Sequence, residues 1–263
     1  MGITKLKTLL RDFIPQQFQV PIKYNFNRLS SKLEPEMDVL KYFVNEGDRV
    51  IDVGGNRGLY AYRLWKLGAA VEVFEPNINC FRILSAWAMR KKKVNIYHVA
   101  LSKVAGSALL HVPVDAAGIE HDSSGSVELI ESESTLDQQV ELRKLDGYNF
   151  ENVKFIKIDV EGHESDVVEG AAVTIKSMTP MMLIEIEQRH NGKPVLEMIN
   201  KIRELGYEAY FLRKGKLVSV NEFLPERDQN PKNLGNAAQE YINNFIFIHK
   251  SKTSEIRIIL DDE

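Results

Sequence analysis

The stretch Asp52-Val53-Gly54-Gly55-Asn56-Arg57-Gly58 joins a short apolar run to a helical pattern. Glycines between a strand and a helix let the backbone approach a ligand closely. About twenty residues on, Glu75 ends a second apolar run and is followed by Pro76-Asn77. A carboxylate at that place can accept hydrogen bonds from both hydroxyls of a ribose. Gly54, Gly55, Asn56, Gly58 and Glu75 therefore describe a cradle for a nucleoside at the ends of two neighbouring strands.

Charge narrows the nucleoside. The spacing is not Gly-x-Gly-x-x-Gly, because Asn56 and Leu59 occupy the second and third glycine places. A pyrophosphate would be repelled by Asp52 beside the turn, whereas the amino and sulfonium cations of S-adenosylmethionine (SAM) would be attracted. SAM is expected over NAD. Asn77 is placed to cap the next helix, and Ala100-Leu101-Ser102, after a third strand, would border the adenine.

These residues need a particular scaffold. Residues 49–53, 71–74, 94–101, 153–158 and 181–187 read as buried strands. Residues 35–45, 58–67, 77–89, 163–176 and 194–205 read as helices, two of them stopped by Gly68 and Gly206. Alternation of strand and helix implies parallel strands with right-handed crossovers. Residues 208–213 and 242–249 supply the last two strands, the final one antiparallel. An inserted hairpin is expected over 107–113 and 125–130, and 221–238, rich in Asn, Pro and Gln, reads as a long loop. The expectation is an α/β fold with a mostly parallel seven-stranded sheet and helices on both faces. Residues 1–46 form a helical extension, 47–250 the domain, and 251–263 a charged tail.

The 263 residues, 44% hydrophobic and 27% charged, suit an ordinary globular protein. The net charge of −3 offers no basic excess for a phosphate backbone, which argues against nucleic acid as the main partner. Cys80 alone excludes a disulfide framework and a multi-Cys zinc site and suits a reducing, cytoplasmic setting. No apolar run is long enough to cross a bilayer, and no signal peptide is expected. Residues 5–14 form a basic amphipathic segment, read as a helix packed on the domain, with peripheral membrane contact as the alternative. The run Arg90-Lys91-Lys92-Lys93 is read as cations at a helix C-terminus. Oligomeric state is not legible.

Three further blocks carry a resemblance: Phe155-Ile156-Lys157-Ile158-Asp159-Val160-Glu161-Gly162-His163-Glu164 with Glu169-Gly170-Ala171; Leu183-Ile184-Glu185-Ile186-Glu187-Gln188-Arg189-His190; and Tyr241-Ile242-Asn243-Asn244-Phe245-Ile246-Phe247. With the glycine turn and Glu75-Pro76-Asn77, the chain resembles the FkbM family of SAM-dependent methyltransferases over residues 47 to 249. The resemblance implies a Rossmann-like methyltransferase fold and O-methylation of hydroxyls on sugars, glycans or secondary metabolites. The family's usual first motif has Ala where this chain has Gly55, a change that keeps a small residue. The second and third blocks resemble a bacterial subset associated with surface polysaccharides.

Methyl transfer requires the acceptor oxygen in line behind the methyl carbon and a group to take its proton. Asp159, at the end of the fourth strand, and His163 and His190, after the fourth and fifth, are the candidate catalytic groups. Glu161, Glu187, Gln188, Asn243 and Asn244 are candidate acceptor ligands, since amides and carboxylates suit a polyhydroxylated partner. Glu185 and Glu187 alternate along one strand face. Asp159 with Glu187-Gln188 resembles the magnesium site of some related O-methyltransferases, but Mg²⁺ is not favoured. Methylation of nitrogen or of a small non-sugar metabolite, and a catalytically silent SAM-binding scaffold, stay open as alternatives.

Overall fold

The computed structural model describes residues 13–114, 125–128, 134–191, 194–234 and 240–253. The basic segment 5–14 lies outside them except for Phe13 and Ile14, as does the tail beyond 253.

Helices α1 (Gln16–Leu29) and α2 (Glu36–Phe43) precede the first strand, β1 (Arg49–Val53). Then come α3 (Leu59–Lys66), β2 (Ala70–Phe74), α4 (Ile78–Ala88) and β3 (Val94–Tyr97). The side chain of Asn77 caps α4, accepting from the backbone of Asn79 at 2.8 Å, as expected. The third strand is shorter than 94–101. Ala100–Leu101 (β4) leaves the main sheet and pairs with β6 (Thr135–Arg143), which also pairs antiparallel with β5 (Gly106–Pro113). The inserted hairpin is present, and its second arm is Thr135–Arg143; of the expected arm 125–130, residues 129–130 lie outside the described residues. Of that earlier stretch, Ser126 makes an isolated bridge to His111.

The main sheet continues with β7 (Val153–Ile158), β8 (Met181–Glu185), β9 (Tyr207–Arg213), β10 (Lys216–Ser219) and β11 (Asn244–His249). Its order is β10-β9-β11-β8-β7-β1-β2-β3, eight strands instead of seven. The additional one follows a tight hairpin at Lys214-Gly215, where both residues have positive φ, the geometry of a two-residue hairpin loop. Five neighbours, β8-β7-β1-β2-β3, are parallel, and β11 is antiparallel to both β8 and β9.

The helix expected over 163–176 is broken into α5 (Glu164–Gly170) and α6 (Ala172–Met178) at Ala171, whose φ of −110° and ψ of 10° are not helical. Gly170 sits so close to the Ser102 carbonyl that a Cβ would lie 2.1 Å from its oxygen. The short α7 (Gln188–Asn191) and α8 (Val195–Glu204) follow β8. Residues 220–233 hold short helical turns within the expected loop. Alternation along the strands divides the core. Val50, Val71, Val73 and Leu183 face α1–α4, while Ile51, Val53, Ile158 and Ile184 face α5, α6 and α8.

Candidate active site

Parallel register brings the carboxyl ends of β1, β2, β7 and β8 to one edge, with Val53 beside Phe74 and Ile158, and Ile158 beside Ile184. A cleft of about 620 Å³ lies over this edge. Its floor is Val53 and Gly54, one wall is Phe74–Asn77, the other Val99–Leu101, and Asp159–Glu161 with His163 close the far side.

The glycine turn is fixed by contact as well as conformation. Gly54 has φ +78°, and a Cβ there would lie 1.8 Å from the Asp159 carbonyl oxygen. Its N–H and that of Gly55 both donate to the Phe74 carbonyl. A Cβ on Gly55 would lie 2.2 Å from Val73 Cγ1, so this chain has filled the space that an alanine would need. Gly58, at φ +77°, opens α3.

Glu75 is buried and ties two turns together. Its Oε2 accepts from the Asn56 N–H at 2.6 Å and its Oε1 from the Asn77 N–H at 2.7 Å. Each oxygen keeps a lone pair for a further donor. Burial pushes the carboxyl up to about 7, against the two backbone hydrogen bonds.

Asp52 does not line the cleft. It stands on the α1–α4 side of β1, opposite to Val53, and burial pushes it up to about 7 despite the neighbouring Lys157. Its Oδ2 is buried without a hydrogen-bond partner. An orphaned acceptor beside a glycine turn that forbids side chains fits a cationic group brought against that turn. Ala100 and Leu101 are buried in the wall.

Asp159 lies at the end of β7, its N–H donating to the Val53 carbonyl and its Oδ2 3.7 Å from Lys157 Nζ. Lys157 is buried near the carboxyl end of β7. It donates to Asn244 Oδ1 at 3.1 Å and sits 5.0 Å from the centre of the Tyr60 ring. Burial would lower its pKa, but Asp159, Glu185, Glu34 and Asp52 together hold it above the ordinary lysine value. Tyr60 hydroxyl donates to Glu34, and Asn244 reaches the same carboxylate at 3.4 Å.

Beside this network, Asn243 Nδ2 donates to Glu185 Oε1 at 2.8 Å and to Glu187 Oε1 at 3.1 Å. Glu187 also accepts from Arg189 and from the Tyr241 hydroxyl. Burial opposes ionisation of Glu187, yet Arg189 and the hydrogen bond with Glu185 hold it below the usual carboxylate range. Burial, then Asp159, lift Glu185 to about 10. The two carboxylates are thus pushed apart, Glu185 toward its protonated form and Glu187 toward its ionised form.

The other expected residues take varied places. His163 is buried, with Nδ1 2.7 Å from Glu128 Oε1 and Nε2 3.0 Å from Ser102 Oγ, so both ring nitrogens are engaged. Glu161 has φ +52° and turns its carbonyl to the Ser126 hydroxyl. Gln188 accepts from the Val195 N–H and so closes the loop to α8. His190 lies in α7; its side chain is outside the described residues. Glu187 spends its oxygens on protein donors, and among the described residues no group of three or more His, Cys, Asp or Glu could hold a metal.

Sequence reasoning missed Lys157, Tyr60, Glu34 and Glu36. For Lys157 a signal existed: a lysine in a central parallel strand, where both faces are covered, needs a partner. The N-terminal carboxylates offered none, since their position over the strand ends depends on the path of the chain after α1.

The model of the Methyltransferase FkbM domain matches residues 52–209. Hexuronic acid methyltransferase AglP of Haloferax volcanii is 27% identical over 175 residues, 65% of this chain and 70% of that protein. Among solved structures, the methyltransferase FkbM of Methylobacillus flagellatus KT gives a TM-score of 0.49 at 15% identity, over 91% of this chain and 57% of that one. An rRNA methylase of Streptococcus thermophilus gives 0.47 at 10%, over 83% and 98%.

Proposed function

The chain belongs to the FkbM methyltransferase family and is a methyltransferase; from that premise we propose that it transfers the methyl group of SAM to a hydroxyl of a sugar, glycan or related metabolite. The observation that carries this reading is the cleft at the strand ends, with Glu75 at its nucleoside side and Asp159 at the other. When bound, SAM supplies an electrophilic methyl group on a sulfonium, a good leaving group. Glu75 accepts from the ribose hydroxyls, Ala100 and Leu101 pack beside the base, and Asp52 offers negative charge behind the glycine turn.

Asp159 is the residue assigned to take the acceptor's proton. It lines the cleft, its side chain is partly exposed, and Lys157 Nζ stands 3.7 Å from its Oδ2. His163 positions the Asp159–Glu161 wall by joining it to Ser102 and Glu128. A carbohydrate acceptor is supported by the named substrate of AglP, a hexuronic acid. For this chain a neutral hydroxyl is favoured over a carboxylate. Asp159 and Glu161 line the cleft at the reacting edge, and an anionic acceptor would be repelled by them.

An acceptor screen with labelled SAM, covering free glycans, lipid-linked sugars, uronic acids and amines, tests the proposal. Label recovered as a methyl ether supports it. Label on nitrogen or in a methyl ester would replace the acceptor class, and SAM binding without turnover on any acceptor would favour a silent scaffold.

A further inference from the structure

Helix α1 has two apolar faces, and among the described residues the domain covers one. At 100° per residue, Val20 and Tyr24 lie on one side; both are buried, Tyr24 stacking near Tyr62 and Val20 against the start of α3. Phe18, Ile22, Phe26 and Leu29 fall within about 80° of arc on the opposite side. They are 50%, 47%, 62% and 88% exposed, and Phe13 just ahead of the helix is 83% exposed. A helix apolar on both sides is ordinarily buried on both, and a contiguous exposed stripe of aromatic and aliphatic side chains marks an interaction surface.

Charge says what kind. Of the chain's 34 Lys and Arg and 37 Asp and Glu, the first 32 residues hold six of the former and Asp12 alone of the latter, so the remainder is net acidic by eight. Between Phe13 and Leu33 there is no acid, while Lys23, Arg28 and Lys32 are present and exposed. Helix α1 packs on α4, whose C-terminal end adds exposed Met89, Arg90, Lys92 and Lys93. A second copy meeting this face would place the same cationic patch against itself, because a two-fold interface is self-complementary. A surface that is both apolar in depth and anionic at its face fits instead.

We propose that α1 docks the enzyme on an anionic lipid surface, with Phe18, Ile22, Phe26 and Leu29 entering the headgroup boundary and the flanking Lys and Arg meeting the headgroups. The inference is independent of the acceptor's identity, since it rests on α1 and on the charge distribution. A membrane-seated enzyme would meet acceptors carried on lipid.

The test is co-sedimentation of the full chain with phosphatidylcholine vesicles, with and without phosphatidylglycerol, beside the double variant Phe18→Ser/Phe26→Ser. Binding is expected only to the phosphatidylglycerol vesicles, weakened by salt and reduced at least about tenfold in the double variant, which should keep wild-type SAM affinity because neither side chain supports the cleft. Tryptophan emission of Phe18→Trp should shift to the blue on adding these vesicles. Five results would overturn the proposal: no binding of the wild type to anionic vesicles; equal binding by the double variant; a dimer in light scattering that the double variant dissociates; an RNA that binds this face in preference to vesicles; and a Phe18→Trp emission that, after subtraction of the wild-type signal of Trp65 and Trp87, is already blue-shifted and unmoved by vesicles, meaning that the protein itself covers the face.

Discussion

Asp52 and Lys157 are register partners on adjacent parallel strands, and both are buried at the carboxyl edge of the sheet. The lysine does more than balance one acid. Asp159 follows two residues later on the same strand, Glu185 and Asn244 stand on the neighbouring pair of strands, and Glu34 arrives from the N-terminal segment. One buried cation thus organises the carboxylates at this edge of the sheet.

Lys157→Met should therefore be strongly destabilising. Removing one partner of a buried charge cluster costs about 3–5 kcal/mol, because the remaining charges are left uncompensated. In a domain of this size that lowers Tm by roughly 10 °C or more. Thermal unfolding followed by circular dichroism measures it, and an unchanged Tm would mean that the carboxylates are neutral without the lysine.

SAM affinity should depend on pH through these acids. Asp52 and Glu75 are both pushed up to about 7 by burial, so in the free protein each is substantially protonated below that value. A cationic ligand favours ionised Asp52. Affinity should rise as pH rises through about 7, and Asp52→Asn should flatten the part of the profile that Asp52 contributes while lowering affinity by roughly 1.5–3 kcal/mol at high pH. Calorimetric titration at several pH values reads both. A profile that is the same in wild type and variant would remove Asp52 from cofactor binding.

Stability of the ligand-free protein should move the other way. Glu36, Asp52 and Glu75 have folded-state values near 7, above those of unfolded carboxylates. Their contribution is fully present below the unfolded values and is lost as pH rises through about 7. Tm should accordingly fall by several degrees from mildly acid to mildly alkaline pH. Saturation with SAM should reduce that fall, by stabilising the ionised form of Asp52. A Tm that climbs over the same interval would contradict the burial of these groups.

Much of this site could be read before any coordinates. Positions of the glycine turn, Glu75 and Asn77 follow from local chemistry: positive φ, close backbone approach and a helix cap. Asp159 followed from its place at the end of a buried run. What escaped depends on non-local geometry. The eighth strand turns on Lys214-Gly215, which lacks the Asn-Gly or Asp-Gly signal of such hairpins. The second arm of the insertion, Thr135–Arg143, begins in polar residues whose pairing with β5 is visible only in three dimensions. His163 looked like a base because it is a histidine near the strand ends, but no local pattern reveals that Ser102 and Glu128 hold both its nitrogens.

Glu75→Ala should weaken SAM binding by roughly 1.5–3 kcal/mol, the scale of hydrogen bonds to a charged group. The same change leaves the Asn56 and Asn77 N–H groups without their acceptor, so a drop in Tm should accompany it. Glu75→Gln separates the two effects, since its amide oxygen can still accept one of those bonds. Wild-type affinity in Glu75→Ala would place the ribose elsewhere.

The proton-taking role is assigned to Asp159, and three variants decide it. Asp159→Asn keeps the shape of the β7 terminus and the N–H bond to Val53 while removing the basic oxygen. Loss of general-base catalysis lowers kcat by about 10²–10⁴-fold. SAM affinity should change little, because Glu75, the residue proposed to hold the ribose, lies on the opposite wall. His163→Ala should instead lower stability and disturb cofactor and acceptor binding together, because the ring braces the wall that carries Asp159 and Glu161. His190→Ala gives the competing case: a base on α7 would show the same selective loss of kcat with SAM affinity intact. The rate of the folded variants on the true acceptor, measured beside SAM affinity, distinguishes the three. Turnover at the wild-type rate by Asp159→Asn, together with a selective collapse in His190→Ala, would move the base from the end of β7 to α7.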